Sequence, residues 1–240
     1  MKCFLLMLLV APITWAQSAP DMASAPHYRL LLSNDQVRVF SVDLRTNERT
    51  MAKHDYNFLV ITLQDCEVIM WPEGASDITN FRFRKGDAGF GLAGRASGIR
   101  NEQTTEYRNV TVEFLNPNVT TYGYQSTTGT WDYGPAGINL PLDPHANFRS
   151  VLRLGDATVN DFQLLARDPL PLPEEKDGPE LLVPVTDVDL KSSEYERIRK
   201  SSGDAVWIPP GRKSTPTNAS TSPVRFILIN FKPTNAEGTQ

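Results

Sequence analysis

One sixteen-residue stretch occurs twice in this chain, as GDAGFGLAGRASGIRN at residues 86–101 and as GDAVWIPPGRKSTPTN at residues 203–218. The two copies align without a gap, and Gly, Asp, Ala, Gly, Arg, Ser and Asn coincide in register. A repeat of so long a period indicates a duplicated domain rather than a solenoid, because each half has enough residues to close its own core.

Short segments rich in Val, Ile, Phe and Tyr, separated by turn residues, predict an all-β chain. The strands predicted in the first half are 28–32, 37–44, 58–63, 67–71, 79–84 and 108–115. Those predicted in the second half are 148–154, 159–166, 181–185, 188–190, 205–208 and 224–231. Residues 192–200 fit either a turn or two of helix or an exposed strand.

The ends of the predicted domains follow from composition. Residues 1–16 have a basic start, an apolar run and a small-residue exit, as in a secretory signal peptide, so we expect a secreted or periplasmic, soluble mature protein. No later stretch has the length that membrane insertion demands. The rest divides into a first domain at 17–117, a connecting segment rich in proline and glycine at 118–147, and a second domain at 148–240.

Charge and cysteine content exclude two classes of protein. The chain has 24 basic and 28 acidic residues with both signs mixed along it, which argues against a nucleic-acid partner. Of its two cysteines, one lies inside the predicted signal peptide and leaves Cys66 alone in the mature chain. We therefore expect no internal disulfide, and stability must come from an ordinary core.

The repeated stretch resembles the second conserved motif of the cupin superfamily, which reads Gly, five residues, Pro, one residue, Gly, two residues, His, three residues, Asn. In the second half Gly203, Pro209 and Asn218 fit this spacing. Ser214 stands where the metal-binding His belongs, and Ser97 stands there in the first half. The resemblance implies a bicupin, two tandem cupin-like jelly-roll barrels, whose metal-binding motifs are degenerate.

The family's first motif reads Gly, five residues, His-X-His, three or four residues, Glu, six residues, Gly. Aligned on the predicted strands, it places Ala52 and His54 at the two His positions of the first half and Phe58 at the Glu position. In the second half the same three positions hold Glu174, Lys176 and Glu180. On this alignment each half keeps one of the four usual ligands.

A divalent transition metal in a cupin needs three or four converging nitrogen or oxygen donors, and imidazole supplies most of the affinity. One histidine does not make such a site, so we expect no metal cofactor. If a metal does bind, His54 would hold it together with Asp55, Glu67 or Glu73, although strand alternation sends neighbouring side chains to opposite faces. Otherwise we expect His54 to lie near the barrel mouth, hydrogen-bonded to a neighbour.

The second half offers a different candidate site. Glu174, Lys176 and Glu180 are spaced so that one extended strand places them on the same face. With Arg212 and Ser214 they would form a polar pocket for a sugar or an organic acid. They would equally serve as a salt-bridged replacement for the lost metal, or as solvated charges at a proline-rich lip.

The fold alone does not decide the function. The leading hypothesis is an exported, metal-independent bicupin that binds a small polar ligand or a partner protein. The alternative is an enzyme with an unorthodox site, either a metal held by His54 with carboxylates or acid/base chemistry by Glu174, Lys176 and Glu180. A purely structural or assembly role is the third possibility.

Overall fold

All regular secondary structure in the described part of the chain is β, which confirms the predicted fold class. The computed structural model describes residues 18–75, 78–120, 148–170, 178–193, 197–211 and 214–233. The predicted signal peptide and most of the predicted connecting segment lie outside these residues. None of the described segments is a helix with the length and apolar character needed to cross a bilayer.

Nine strands of the first half form two antiparallel sheets, which we call the first unit. They are β1 Tyr28–Ser33, β2 Val37–Leu44, β3 Arg49–His54, β4 Asn57–Thr62, β5 Cys66–Pro72, β6 Thr79–Phe83, β7 Ala88–Gly91, β8 Arg95–Arg100 and β9 Tyr107–Phe114. One sheet has the strand order β1-β2-β9-β4-β7, and the sheet opposite has the order β3-β8-β5-β6.

The second half repeats this plan, and its two sheets are called the second unit. Its strands are β10 Phe148–Leu154, β11 Ala157–Leu164, β12 Glu180–Pro184, β13 Val188–Lys191, β14 Ile198–Lys200, β15 Val206–Ile208, β16 Thr217–Asn218 and β17 Val224–Phe231. The larger sheet has the order β10-β11-β17-β12-β15, and the smaller has the order β14-β13-β16. Residues 198–200, open between helix and strand in the sequence, form a strand.

The five-stranded sheets of the two units have the same strand order, so the duplication seen in the sequence is a duplication of the fold. Their register makes individual positions equivalent. On β4, Phe58 lies opposite Glu113 of β9, and on β12, Glu180 lies opposite Asn230 of β17. Phe58 and Glu180 therefore occupy the same place in the two units, as the motif alignment predicted.

The two five-stranded sheets pack on each other through one hydrophobic core to which both units contribute. Within it the Phe114 and Phe231 rings meet edge-on, with centroids 6.2 Å apart. At the edge of this interface, Arg225 of the second unit donates a 2.8 Å hydrogen bond to the Lys85 carbonyl oxygen of the first. Arg225 also forms an ion pair with the fully buried Asp161. The two units are thus joined by an apolar core, and Arg225 adds polar contacts at the edge of that core.

The first glycine of each repeat copy explains part of the motif. Gly86 and Gly203 have φ of 84° and 88°, in the left-handed region that favours glycine. A Cβ at Gly86 would clash with the Arg225 guanidinium, and a Cβ at Gly203 would approach Leu63 to 2.7 Å. Each tight turn therefore lies against a side chain of the other unit, so the repeat serves the interface between units as well as the turn.

The N-terminal segment, residues 18–27, lies along the first unit. Its Met22 and Ala25 are buried in a cluster with Phe40 and Ala52. The backbone N–H of Lys53 donates a 2.7 Å hydrogen bond to the Pro20 carbonyl oxygen, which fixes the segment beside β3. Since Phe40 and Ala52 lie on the inner faces of their sheets, this segment closes one side of the first unit.

Candidate functional site

His54 is the last residue of β3, and strand alternation turns it inward. Thr50, Ala52 and His54 are buried, whereas on the other face Met51 is half-buried and Lys53 is exposed. Only 2% of the His54 surface is accessible. The imidazole therefore lies between the sheets of the first unit.

The structure brings together the residues that the two motifs assign to one centre. The His54 and Phe58 rings are stacked, with centroids 3.7 Å apart and an angle of 11° between their planes. His54 Nε2 lies 3.4 Å from Ser97 Oγ, and Ala52 is the cross-strand partner of Ser97. The other ring nitrogen, Nδ1, is buried with no hydrogen-bond partner among the described residues.

Burial governs the chemistry of this imidazole. It lowers the pKa of His54 from 6.5 to about 4, because the charged form would lose its hydration, and the nearby Asp55 charge opposes the shift only in part. His54 is therefore a neutral ring at pH 7. The neutral His54 ring packs on Phe58, and its Nδ1 is the ring nitrogen that has no hydrogen-bond partner among the described residues.

This donor set does not fit the divalent metal that cupins usually hold. The four positions supply one imidazole and one hydroxyl, because Ala52 and Phe58 carry no donor atom. The three carboxylates offered as metal ligands by the sequence have other partners: Asp55 pairs with Lys53 at 2.8 Å, Glu67 pairs with Arg82 at 2.9 Å, and Glu73 accepts a 3.0 Å hydrogen bond from the Ala19 backbone N–H. Within the described ranges, no three His, Cys, Asp or Glu side chains gather as a metal site requires.

A buried ion pair beside Phe58 was not predicted from the sequence. Glu113 is fully buried, and its Oε2 accepts a 2.8 Å hydrogen bond from Arg38 Nε and lies 2.6 Å from Arg38 Nη2 in the same ion pair. Burial raises the pKa of the Glu113 carboxyl, and the Arg38 charge opposes that rise. Glu113 Oε1 has no hydrogen-bond partner among the residues described. The sequence feature that could have indicated this ion pair is a single acidic residue, Glu113, at an inward position of the otherwise apolar β9.

In the second unit a carboxylate replaces the phenyl ring. Glu180 is 3% exposed, and its Oε1 accepts a 2.9 Å hydrogen bond from Asn230 Nδ2. Asn160 Nδ2 in turn donates a 3.1 Å hydrogen bond to Asn230 Oδ1. The position that holds Phe58 in the first unit therefore begins a buried chain of polar side chains in the second.

Ser214, at the lost His position of the second unit, is half-buried and forms a hydroxyl–hydroxyl contact with Ser192. Of the five residues predicted to form the polar pocket, Glu180 and Ser214 are described. The other predicted members, Glu174, Lys176 and Arg212, lie outside the described residues. Their convergence with Glu180 stays a prediction.

The asparagine that ends each repeat copy has a structural role. Asn218 is 1% exposed, and its amide donates hydrogen bonds to the carbonyl oxygens of Leu164, Leu165 and Ser222. Asn101 does the same in the first unit, where its amide binds the Leu44 carbonyl oxygen at 3.0 Å. These residues fasten loops to the sheets and are not part of the candidate site.

The chain matches no family model and no curated protein sequence. Among solved structures, it is similar to the protein Ylba from E. coli, with a TM-score of 0.62 and 12% identity over 92% of this chain and 90% of that one. AerE from Microcystis aeruginosa matches with a TM-score of 0.57 and 11% identity over 87% and 99% of the two chains. A cupin 2 conserved barrel domain protein from Leptotrichia buccalis matches with a TM-score of 0.54 and 10% identity over 90% and 92%.

These likenesses, together with the two jelly-roll units, show that the protein has the cupin fold, as the repeated motif predicted. A fold shared at such low identity carries no function with it. The evidence for function therefore lies in the site residues themselves.

Proposed function

We propose that this protein is an exported cupin-fold binding protein that holds a small polar ligand in its second unit without a metal ion. The observation that carries the proposal is the contrast at one equivalent position. In the first unit Phe58 stacks on His54, whereas in the second unit Glu180 is hydrogen-bonded to Asn230.

The first unit supports the metal-independent part of the proposal. A transition metal needs several converging donors, and the phenyl ring of Phe58 stands where the family's carboxylate would be. The His54 imidazole is covered on one face by that ring. A metal ion would have to displace this stack and would still find only one imidazole.

The second unit supports the binding part. The Glu180 carboxylate is an acceptor, the Asn160 and Asn230 amides are donors and acceptors, and the half-buried Ser214 and Ser192 hydroxyls lie together. Such a set suits a sugar or an organic acid. Glu174, Lys176 and Arg212 are proposed members of the same pocket, with the two cations as further donors.

The test uses the mature chain from Gln17 onward, treated with a chelator, and four probes: glucose, galactose, malate and citrate. Calorimetric titration is expected to detect binding of at least one probe. Glu180→Gln should weaken it about tenfold or more, because a ligand hydrogen bond to a charged group is lost. Glu102→Gln, which changes an exposed carboxylate in the first unit, is the matched control and should bind normally.

Three results would overturn the proposal. Failure of all four probes to bind would remove the ligand chemistry argued here. Equal affinity in the wild type and in Glu180→Gln would remove the site. Binding that requires added metal would favour the alternative of an enzyme with an unorthodox metal centre.

A further inference from the structure

We infer that the outer face of the four-stranded sheet of the first unit binds an oligosaccharide of uronic acids. Trp71 provides a ring on which a sugar unit stacks, and Arg49 and Arg100 provide guanidinium groups for its carboxylates. This face lies outside both jelly-roll interiors, so the inference goes beyond the pocket proposed in the second unit and does not depend on it.

The strand register shows which residues share this outer face. On β8, Ser97 and Ile99 point inward, because Ser97 Oγ lies 3.4 Å from His54 Nε2 and Ile99 packs in a buried cluster with residues of the opposite sheet. Strand alternation therefore turns Gly98 and Arg100 outward. Their cross-strand partners complete the face: Met51 and Arg49 on β3, and Trp71 and Ile69 on β5.

The Trp71 indole lies flat on Gly98. A Cβ at Gly98 would lie 2.2, 2.3 and 2.6 Å from Trp71 Cε2, Cζ2 and Nε1, far inside van der Waals contact. Because these three bonded ring atoms are at such similar distances, that point lies over the face of the ring rather than at its edge. The other face of the indole therefore points away from the sheet, and Trp71 is only half-buried.

The glycine serves the tryptophan rather than the repeated motif. Gly98 has a φ outside the left-handed region, so its backbone conformation does not require glycine. The equivalent residue in the second copy of the repeat is Thr215, so the motif accepts a side chain at this position. Space for the Trp71 ring is the reason for glycine that the structure shows.

Two arginines lie beside the ring. Arg100 is the diagonal neighbour of Trp71 across β8 and β5, and such neighbours are about 7–8 Å apart, within reach of long side chains. Arg49 lies directly opposite Arg100 on β3, an arrangement in which like charges repel. Arg100 pairs with Glu102 at 2.6 Å, whereas Arg49 is exposed and has no ion pair among the described residues.

The N-terminal segment borders the ring on the side away from the arginines. The Lys53 N–H on β3 binds the Pro20 carbonyl oxygen, and the Ala19 N–H donates a 3.0 Å hydrogen bond to Glu73 Oε1, just after β5. Two adjacent residues of the segment thus contact both strands that flank β8. Between this segment and the two arginines, the outer face offers a track that runs across the strands.

These groups together define the class of ligand. The face of an indole stacks on the apolar C–H face of a sugar ring. Arginine favours carboxylates, which accept charge-assisted hydrogen bonds, and a carboxylate near Arg49 and Arg100 would relieve their repulsion. A uronic acid combines the sugar ring and the carboxylate in one unit. An open track across several strands suits a chain of such units.

The experiment titrates the mature chain by calorimetry with two trisaccharides, acidic trigalacturonate and neutral maltotriose. Trigalacturonate is expected to bind, and maltotriose should bind about tenfold more weakly or not at all, because it has no carboxylates for the arginines. Trp71→Leu keeps an apolar cover on Gly98 but removes the ring, and it should weaken trigalacturonate about fivefold or more. Arg49→Gln should weaken it about threefold or more. Arg29→Gln, which changes an exposed arginine of the other sheet, is the matched control and should bind normally.

Gly98→Ala tests the seat of the ring without removing a contact. It keeps Trp71 and both arginines, but its Cβ displaces the indole, so it should weaken trigalacturonate as Trp71→Leu does. The inference stands only if Trp71→Leu and Arg49→Gln both bind more weakly than Arg29→Gln.

Four results would overturn the inference. They are absence of trigalacturonate binding, equal binding of the two trisaccharides, wild-type affinity in either Trp71→Leu or Arg49→Gln, and an equal loss in Arg29→Gln. If trigalacturonate binding is lost in Glu180→Gln but kept in Trp71→Leu, the sugar lies in the second unit, and the pocket proposed there stands without this one. If no trigalacturonate binds and Trp71→Leu abolishes self-association in sedimentation, the face is a contact between copies of the chain.

Discussion

Acidification is predicted to destabilise the protein through His54. The folded chain holds this imidazole at a pKa of about 4, below the value of 6.5 expected in the unfolded chain. Between these two values the unfolded chain binds a proton that the folded chain does not, so stability falls as the pH falls. The contribution is fully present above pH 6.5 and is lost as the pH drops through the folded pKa.

The size of the effect follows from the difference between the two pKa values. One pKa unit corresponds to about 1.4 kcal/mol, so the drop from 6.5 to about 4 corresponds to about 3.5 kcal/mol, of which about 3 kcal/mol is lost by pH 4. Burial of the imidazole is the main cause of the shift, and the neighbouring Asp55 charge reduces it. Glu113 titrates with the opposite sign, because burial raises its pKa, and its stabilising effect is lost as the pH rises.

A comparison with His54→Phe isolates the histidine. This variant keeps a ring against Phe58 and removes the titrating group, while Glu113 and the other carboxylates are common to both proteins. Urea unfolding at pH 7 and pH 4 should show that the wild type loses about 3 kcal/mol more than the variant. Equal losses in the two proteins, or a His54 pKa near 6.5 by NMR titration, would show that burial of His54 does not cause the acid sensitivity.

Three further predictions concern stability and are checked by urea unfolding. Asn218→Ala should cost about 2–3 kcal/mol, because buried backbone carbonyl groups lose their donor. Arg225→Met should cost about 3 kcal/mol or more, because it removes the ion pair that Arg225 forms with the buried Asp161 carboxylate; a smaller loss than in Asn218→Ala would contradict this. Gly178→Ala should prevent correct folding or cost about 3 kcal/mol, since its Cβ would overlap the Phe231 carbonyl oxygen; a stable, well-folded variant would contradict the backbone contact.

The repeated motif was enough to predict the fold, because its glycines and asparagines have local roles that spacing reveals. Gly86 and Gly203 need a left-handed turn, and Asn101 and Asn218 bind loop carbonyl groups. The strands with alternating apolar residues could also be predicted from the sequence. The polar β3, Arg49–His54, and the glycine-rich β7, Ala88–Gly91, escaped prediction because neither shows an apolar alternation.

Residues of the candidate site could be predicted only where they occupy a position of one of the two cupin motifs. The alignment placed His54, Phe58 and Ser97 at one centre, and the structure brings them together. The contributions of Glu113 and Asn230 to the site were not predicted, because these residues lie on strands outside both motifs. Their roles depend on which residue lies opposite them across the sheet, and a single sequence does not give that register.

Elemental analysis of the mature protein distinguishes a metal-independent cupin-fold protein from a metalloenzyme. The protein would be produced by export, supplemented with Mn, Fe, Ni, Cu and Zn, and freed of loosely bound ions. We expect no stoichiometric metal in the wild type, because the stacked His54 and Phe58 leave too few donors in the first unit. A stoichiometric metal that survives this treatment and is lost in His54→Phe would instead identify a metal centre at His54.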